Sequence, residues 1–166
     1  SLLNKFNEKV QIIYKFGGKP LRDLYTGFEE FKIKTKIFER NKSLIYLDGT
    51  YNSLDLIRES DCILGFQTAG MFEAMFTKKP IIYGAWGNFF EEIKSTLLPL
   101  HVGNATNHCK SKIELLNNLE KVITSTNKIV LSKKETKDRK IMIDKFFKYS
   151  DGNVSKRILK FINEIN

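Results

Sequence analysis

Four short apolar runs, VQIIYKF (10–16), SLIYLDG (43–49), CILGF (62–66) and PIIYGAW (80–86), limit the architectures open to this chain. Each has the length of a strand, is partly β-branched or aromatic, and ends on glycine or a polar turn. Because the runs are apolar on both faces, they call for strands covered on both sides. The segments between them are long enough for crossover helices. The reading is therefore α/β: a Rossmann-like open parallel sheet sandwiched by helices. LPLHVG (98–103) is a weaker fifth run.

The helical patterns differ in clarity. Leu21, Leu24, Tyr25, Phe28 and Phe31 recur at helical spacing over 21–31, and the FKIKTKIF that follows alternates with period two, which leaves an extra edge strand open. SLDLIRES (53–60) reads as a short helix behind an Asn or Ser cap, and residues 69–78 as another that stops before KKP. SKIE (111–114) and SKKE (132–135) match the capping box, in which Ser and Glu side chains satisfy each other's backbone donors at a helix start. DGNVSKRILKFINEI holds one more helix, with Val154, Ile158, Phe161, Ile162 and Ile165 as its apolar stripe. These extra C-terminal helices have no strand after them, so they pack across the sheet or against something outside the chain.

A length of 166 residues fits one domain, and 28 Lys and Arg against 19 Asp and Glu give a formal charge of +9. That balance favours anionic partners such as nucleotide phosphates, and it admits peripheral contact with the anionic inner face of a membrane. Many lysines alternate with acids at helical spacing in KSKIELLNNLEK and LSKKETKDRKIMIDKFFK, where a solvated helix face accounts for them. No nucleic-acid-binding motif is present, so no nucleic-acid partner is expected. Cys62 and Cys109 form neither a disulfide framework nor a zinc spacing and read as reduced thiols of a cytoplasmic protein. No run approaches the length of a membrane span, and SLLNKFNEKV lacks a signal peptide's apolar region and cleavage site.

In an open parallel sheet, ligands bind beyond the carboxyl ends of the strands. The segments that follow the four runs are KFGGKP, DGTYNS, QTAG and GAWGN. QTAG (Gln67, Thr68, Ala69, Gly70) lies between a strand and a helix, where free N–H groups favour an anion. Thr68 adds a hydroxyl, and the small Ala69 and Gly70 open the backbone to close approach. The plainer alternative makes Thr68 a helix cap and Gly70 a packing residue. Glu73 lies on a helix otherwise lined by Met71, Phe72, Ala74, Met75 and Phe76, and an acid there requires a partner: a ribose diol, or Lys78 or Lys79 at the surface. His101 and His108, in the weak fifth run and a polar loop, lack ligand or triad spacing and read as structural or solvent-exposed. Trp86, Phe89 and Phe90, after the fourth run, either line a ligand pocket or contact a partner. No catalytic residue and no metal set can be assigned.

SDCILGFQTAGMFEAMFTKKPIIYG, preceded by YLDGTYNSLDLIRE, resembles the nucleotide-sugar-binding C-terminal half of GT-B glycosyltransferases, particularly the bacterial enzymes of capsule and lipopolysaccharide synthesis. The shared pattern is a D-x-(V/I)-(I/L) strand, a Ser or Thr with small neighbours, Glu-Ala five residues on, then KP(V/I)I. DGNVSKRILKFI is similar to the final helix entry of those proteins. Similar motifs serve UDP-N-acetylglucosamine 2-epimerases and the glycerophosphotransferases of teichoic acid synthesis. The resemblance covers roughly residues 10–165 and is most specific over 43–84. It implies a single Rossmann-like donor-binding domain over 1–166, the half of a two-domain enzyme whose N-terminal acceptor domain or partner subunit lies elsewhere. It further implies that Thr68, Ala69 and Gly70 hold the donor diphosphate, that Glu73 holds the ribose, and that Asp48, Gly49, Thr50 and Tyr51 lie beside the base. Relatives often carry Lys-Pro-His-Pro after the first strand; here Lys15 matches the lysine and the histidine is missing, although Lys15 or Lys19 would still neutralise phosphate charge. The expected activity is metal-independent sugar transfer, with the nucleotide sugar as substrate and no cofactor. An epimerase-like domain and a noncatalytic basic binding module are the alternatives.

Overall fold

The computed structural model describes residues 10–15, 44–47, 50–125, 129–149 and 151–165. In chain order its elements are β1 (Ile12–Lys15), β2 (Leu44–Leu47), α1 (Ser53–Glu59), β3 (Ile63–Gly65), α2 (Ala69–Met75), β4 (Ile81–Gly84), α3 (Asn88–Ile93), β5 (Asn107–Cys109), α4 (Lys112–Thr124), α5 (Lys133–Phe147) and α6 (Val154–Ile165). The fold is α/β, and every described strand pairing is parallel. The helix read over 21–31, the FKIKTKIF segment, Lys19, Asp48 and Gly49 lie outside the described residues. Among the described residues no helix is long and apolar enough to cross a membrane.

The chain forms two compact units, Ser1–Ser60 with Ile113–Lys128, and Asp61–Lys112 with Ile129–Asn166. In the first, β1 pairs with β2 in the register Ile12 to Leu44 through Lys15 to Leu47. Its α1 begins as its sequence indicates, with Asn52 Oδ1 accepting from the Leu54 N–H at 3.0 Å. The expectation that the first run is covered on both faces fails, since Ile12, Ile13 and Tyr14 are all exposed.

The second unit is built on the sheet β3-β4-β5. Its core is the central strand: Ile81, Ile82 and Tyr83 are buried, together with Met71, Leu100, Ala105 and Cys109. Each large apolar side chain so buried stabilises the fold by about 1.5–3 kcal/mol. Helix α2 packs on β3, β4 and α5, and its approach depends on Gly65. A Cβ at Gly65 would lie 3.1 Å from both the Met71 sulfur and the Thr68 methyl. The helix ends at Met75, before the expected 78, because the Thr77 hydroxyl donates back to the Ala74 carbonyl at 2.7 Å and accepts from the Lys79 N–H at 3.2 Å. At α5 the capping box is complete: Ser132 Oγ accepts from Glu135 N at 3.2 Å, and Glu135 Oε2 accepts from Ser132 N at 2.8 Å.

The fifth strand is not where the apolar pattern places it. Residues 98–103 form turns, and β5 is Asn107–Cys109, with Tyr83 opposite His108. The physical reason is that side chains take the backbone groups of 98–106 before a ladder can form. Gln67 Oε1 accepts from Leu98 N at 2.9 Å, Thr106 Oγ1 donates to the Leu100 carbonyl at 2.5 Å, and Asp138 Oδ2 accepts from Asn104 N at 2.8 Å. Arg139, buried on α5, donates through Nε to the Ala105 carbonyl at 3.0 Å and through Nη1 to the Thr77 carbonyl at 3.1 Å.

Candidate functional site

Because the second unit's sheet is parallel, the carboxyl ends of its strands share one edge, where the segments after β3, β4 and β5 emerge. After β3 the chain turns at Gln67, a non-glycine residue at φ 44°. Its amide locks the turn: Nε2 donates to Tyr83 Oη at 2.7 Å and to the Leu98 carbonyl at 3.1 Å, in addition to the Leu98 N–H it accepts. Gln67 is thus a brace whose amide is already engaged by protein groups.

Thr68 is the N-cap of α2. Its hydroxyl accepts from Gly70 N at 3.3 Å, and its carbonyl from Met71 N at 3.1 Å. The cap reading is therefore correct for Thr68, while the packing reading is not correct for Gly70: a Cβ there would meet only Thr68 Oγ1, at an ordinary 3.7 Å. Gly65 is the glycine that packing demands. Thr68 and Ala69 are exposed, so the turn is open. Glu73 is half-buried between the fully packed Phe72 and Ala74. Its carboxylate has neither a hydrogen bond nor an ion pair, with Lys78, Lys79 or any other described residue.

After β4 the chain passes through the buried Ala85, the part-exposed Trp86 and Gly87, whose φ of 93° and ψ of 171° only glycine adopts without strain. Beyond this bend lies a cavity of about 400 Å³ lined by Ala85, Trp86, Gly87, Phe90, Glu91, Lys94, His101, His108 and Lys110. Its volume falls in the range of small-ligand sites. Phe90 is the hub of the wall, with ring centroids 5.6 Å from His101, 5.4 Å from His108 and 6.3 Å from Tyr83. The two imidazoles lie 6.2 Å apart. His108 Nε2 donates to the Ala85 carbonyl at 2.8 Å, since a carbonyl only accepts. His101 Nδ1 is buried with no hydrogen-bond partner. Burial holds the His101 pKa below its ordinary value, reinforced by the neighbouring His108 and Lys94 and opposed by Glu91. A hydrogen bond from Lys94 at 2.5 Å holds Glu91 below the usual carboxylate range. The wall thus offers an indole face, neutral imidazole, ammonium groups and a carboxylate, a set suited to a polar ligand that bears hydroxyls and negative charge.

Of the residues singled out by sequence, Lys15, Thr50 and Tyr51 belong to the first unit, and Gln67, Thr68, Ala69, Gly70 and Glu73 to the second. Lys15 is half-buried at the end of β1, and Thr50 and Tyr51 are exposed. Sequence alone reads His101 and His108 as structural or solvent-exposed, and in separate elements. His101 lies in a turn rather than a strand and His108 in a strand rather than a loop, and the fold brings both to one wall. The available signal was position: both follow the apolar run that becomes the central strand. Among the described residues no cluster of three or more His, Cys, Asp or Glu could hold a metal ion.

Comparison with curated proteins and with solved structures returns no match. A family model does match, that of CDP-Glycerol:Poly(glycerophosphate) glycerophosphotransferase, over residues 29–164. That span takes in every element of the second unit except the end of α6. By this match the chain belongs to the CDP-glycerol glycerophosphotransferase family, a family of transferases of cell-surface polymer synthesis.

Proposed function

We propose that this chain is the donor-binding part of a GT-B-type transferase whose donor is a nucleoside-diphosphate-activated group, glycerol phosphate on CDP or a sugar on its nucleotide. The observation that carries the reading is the Trp86 and histidine cavity at the carboxyl end of the central strand, next to an open turn whose small residues packing does not require. In this arrangement the donor diphosphate lies on Thr68, Ala69 and Gly70. Glu73 accepts from the ribose hydroxyls, which explains an unpaired carboxylate on a buried helix. The transferred group enters the cavity against Trp86. Family membership favours group transfer over the epimerase alternative.

With CDP-glycerol as donor, a hydroxyl at the polymer end attacks the phosphorus that carries glycerol. The bond to the bridging anhydride oxygen breaks, CMP leaves, and the hydroxyl proton passes to a base of the acceptor-binding part. The protein's contribution is to stabilise charge on the departing nucleotide through the Thr68 hydroxyl, the start of α2 and nearby lysines, without a metal. Calorimetric titration with CDP-glycerol, UDP-N-acetylglucosamine and CMP tests this. One diphosphate donor is expected to bind, and Glu73→Ala is expected to weaken it at least tenfold with the melting temperature unchanged. Equal affinity in wild type and variant would remove Glu73 from the site.

A further inference from the structure

Two histidines line the cavity beside Trp86, and the fold commits a different nitrogen of each. A neutral imidazole has one N–H donor and one lone pair, so the nitrogen that the protein settles determines what the other offers. In His108 the settled nitrogen is Nε2, which donates to the Ala85 carbonyl at 2.8 Å. Nδ1 keeps the lone pair, and no described residue engages it. In His101 the settled nitrogen is Nδ1, buried with no hydrogen-bond partner. A buried N–H without an acceptor is rare and costly in a folded chain, so Nδ1 carries the lone pair and the proton sits on Nε2. That nitrogen is neither buried nor held by a described residue. Burial, the largest influence on His101, lowers its pKa and keeps the ring in this neutral form. His101 thus presents a donor to the cavity and His108 an acceptor.

Packing fixes the two rings in this relation. Phe90 contacts both, at centroid separations of 5.6 Å and 5.4 Å, and Tyr83 packs on His108 at 5.3 Å. The imidazoles are 6.2 Å apart and inclined by 65°. One hydroxyl, or two on adjacent carbons, bridges such a span with hydrogen bonds of about 2.8 Å. A hydroxyl accepts and donates at once, so it satisfies both rings. A phosphate oxygen only accepts and would meet the lone pair of His108, and an alkyl group would leave both rings without a partner. Charge points the same way. The Glu91 carboxylate accepts from Lys94 at 2.5 Å and offsets that ammonium on the cavity wall, which disfavours a second anionic group there. Trp86 and Phe90 supply apolar surface for a carbon skeleton, and the histidines the few polar groups that orient it.

We propose that His101 and His108 act as a matched donor and acceptor that selects an uncharged, hydroxyl-bearing end of the donor molecule. His101 Nε2–H donates to a hydroxyl oxygen, and His108 Nδ1 accepts the proton of that hydroxyl or of its neighbour. The selectivity rests on the donor-binding function proposed above and gives the chemistry of the group that the cavity takes: a neutral polyol, the glycerol or sugar end of the donor.

The nitrogen assignment is tested without any ligand. Long-range proton–nitrogen NMR of the whole chain in mildly alkaline buffer is expected to place the proton on Nε2 of both rings, and a proton on Nδ1 of either would overturn the proposal. Calorimetry then compares CDP, CDP-glycerol and the n-propyl ester of CDP, which keeps the carbon chain of glycerol without its free hydroxyls. CDP-glycerol is expected to bind at least about tenfold more tightly than the propyl ester. In His108→Gln, whose amide N–H can still reach the Ala85 carbonyl but which has no counterpart of Nδ1, that ratio is expected to fall close to one while CDP binds as in wild type. Equal binding of the two esters to the wild-type chain, with CDP also bound, would overturn the hydroxyl selection and leave the donor site standing. A ratio unchanged in both His108→Gln and His101→Phe would do the same. Failure of all three nucleotides to bind would overturn the proposal together with CDP-glycerol as the donor.

Discussion

Replacing Gln67 with alanine removes three hydrogen bonds at once, those to Tyr83 Oη, to the Leu98 carbonyl and from Leu98 N. The partners are poorly placed to recover water: Tyr83 is fully buried and Leu98 half-buried. At about 1 kcal/mol for each bond the loss is about 3 kcal/mol. A chain of 166 residues loses about 2–4 °C of melting temperature per kcal/mol, so a fall of about 6–12 °C is expected. Gln67 also sits at φ 44°, where a Cβ costs about 1–2 kcal/mol. Gln67→Gly loses the same bonds but recovers most of that strain, so the melting temperatures should rank wild type, then glycine, then alanine. Thermal unfolding followed by circular dichroism, with urea titration as a check, gives the order directly. An alanine variant as stable as wild type would refute the brace. A glycine variant less stable than alanine would refute the backbone argument.

Other outcomes follow from the same geometry. Arg139→Met keeps the stem of a buried side chain but leaves the Ala105 and Thr77 carbonyls without their donor; a loss of about 2–4 kcal/mol is expected in urea unfolding, and a neutral result would show that the bonds are dispensable. Gly65→Ala forces a Cβ to within 3.1 Å of Thr68 and Met71, and should cost about 1–3 kcal/mol in the same assay. The pH dependence has a definite sign. His101 has a folded pKa below the ordinary 6.5, so the unfolded chain binds its proton first as pH falls, and the stability associated with the neutral ring declines from about that pH downward. His101→Gln should flatten the stability profile in that window, and an unchanged profile would place the titration elsewhere.

The parallel α/β plan was legible because the strands are short apolar runs and the helices between them announce their starts. Asn52 and the Ser132 to Glu135 box cap helices where sequence puts them. The central strand was equally plain, since IIY is buried on both faces. The fifth strand was not: NHC has no apolar alternation, and it becomes a strand only because β4 offers it a parallel edge. LPLHVG misled for the opposite reason, its apolar residues packing a turn that Gln67, Asp138 and Arg139 hold from outside. At the site, QTAG signalled a break between strand and helix, and Glu73 an acid in need of a partner. What sequence could not reveal was the division of labour within the motif. Gln67 is spent on the fold and Gly65 on packing, which leaves Gly70 and Glu73 free of structural duty. The sequence did not bring the two histidines together, because residues 101 and 108 meet only through the β4–β5 register and the Phe90 hub.

Trp86 is the single tryptophan of the chain and lines the cavity, so its fluorescence reports whether a donor enters. Titration with CDP-glycerol should produce a saturable change in its emission, with CMP as competitor and with the midpoint shifted at least tenfold by Glu73→Ala. An emission that stays flat across the titration, while calorimetry detects the same nucleotide binding elsewhere, would contradict the assignment of this cavity to the transferred group.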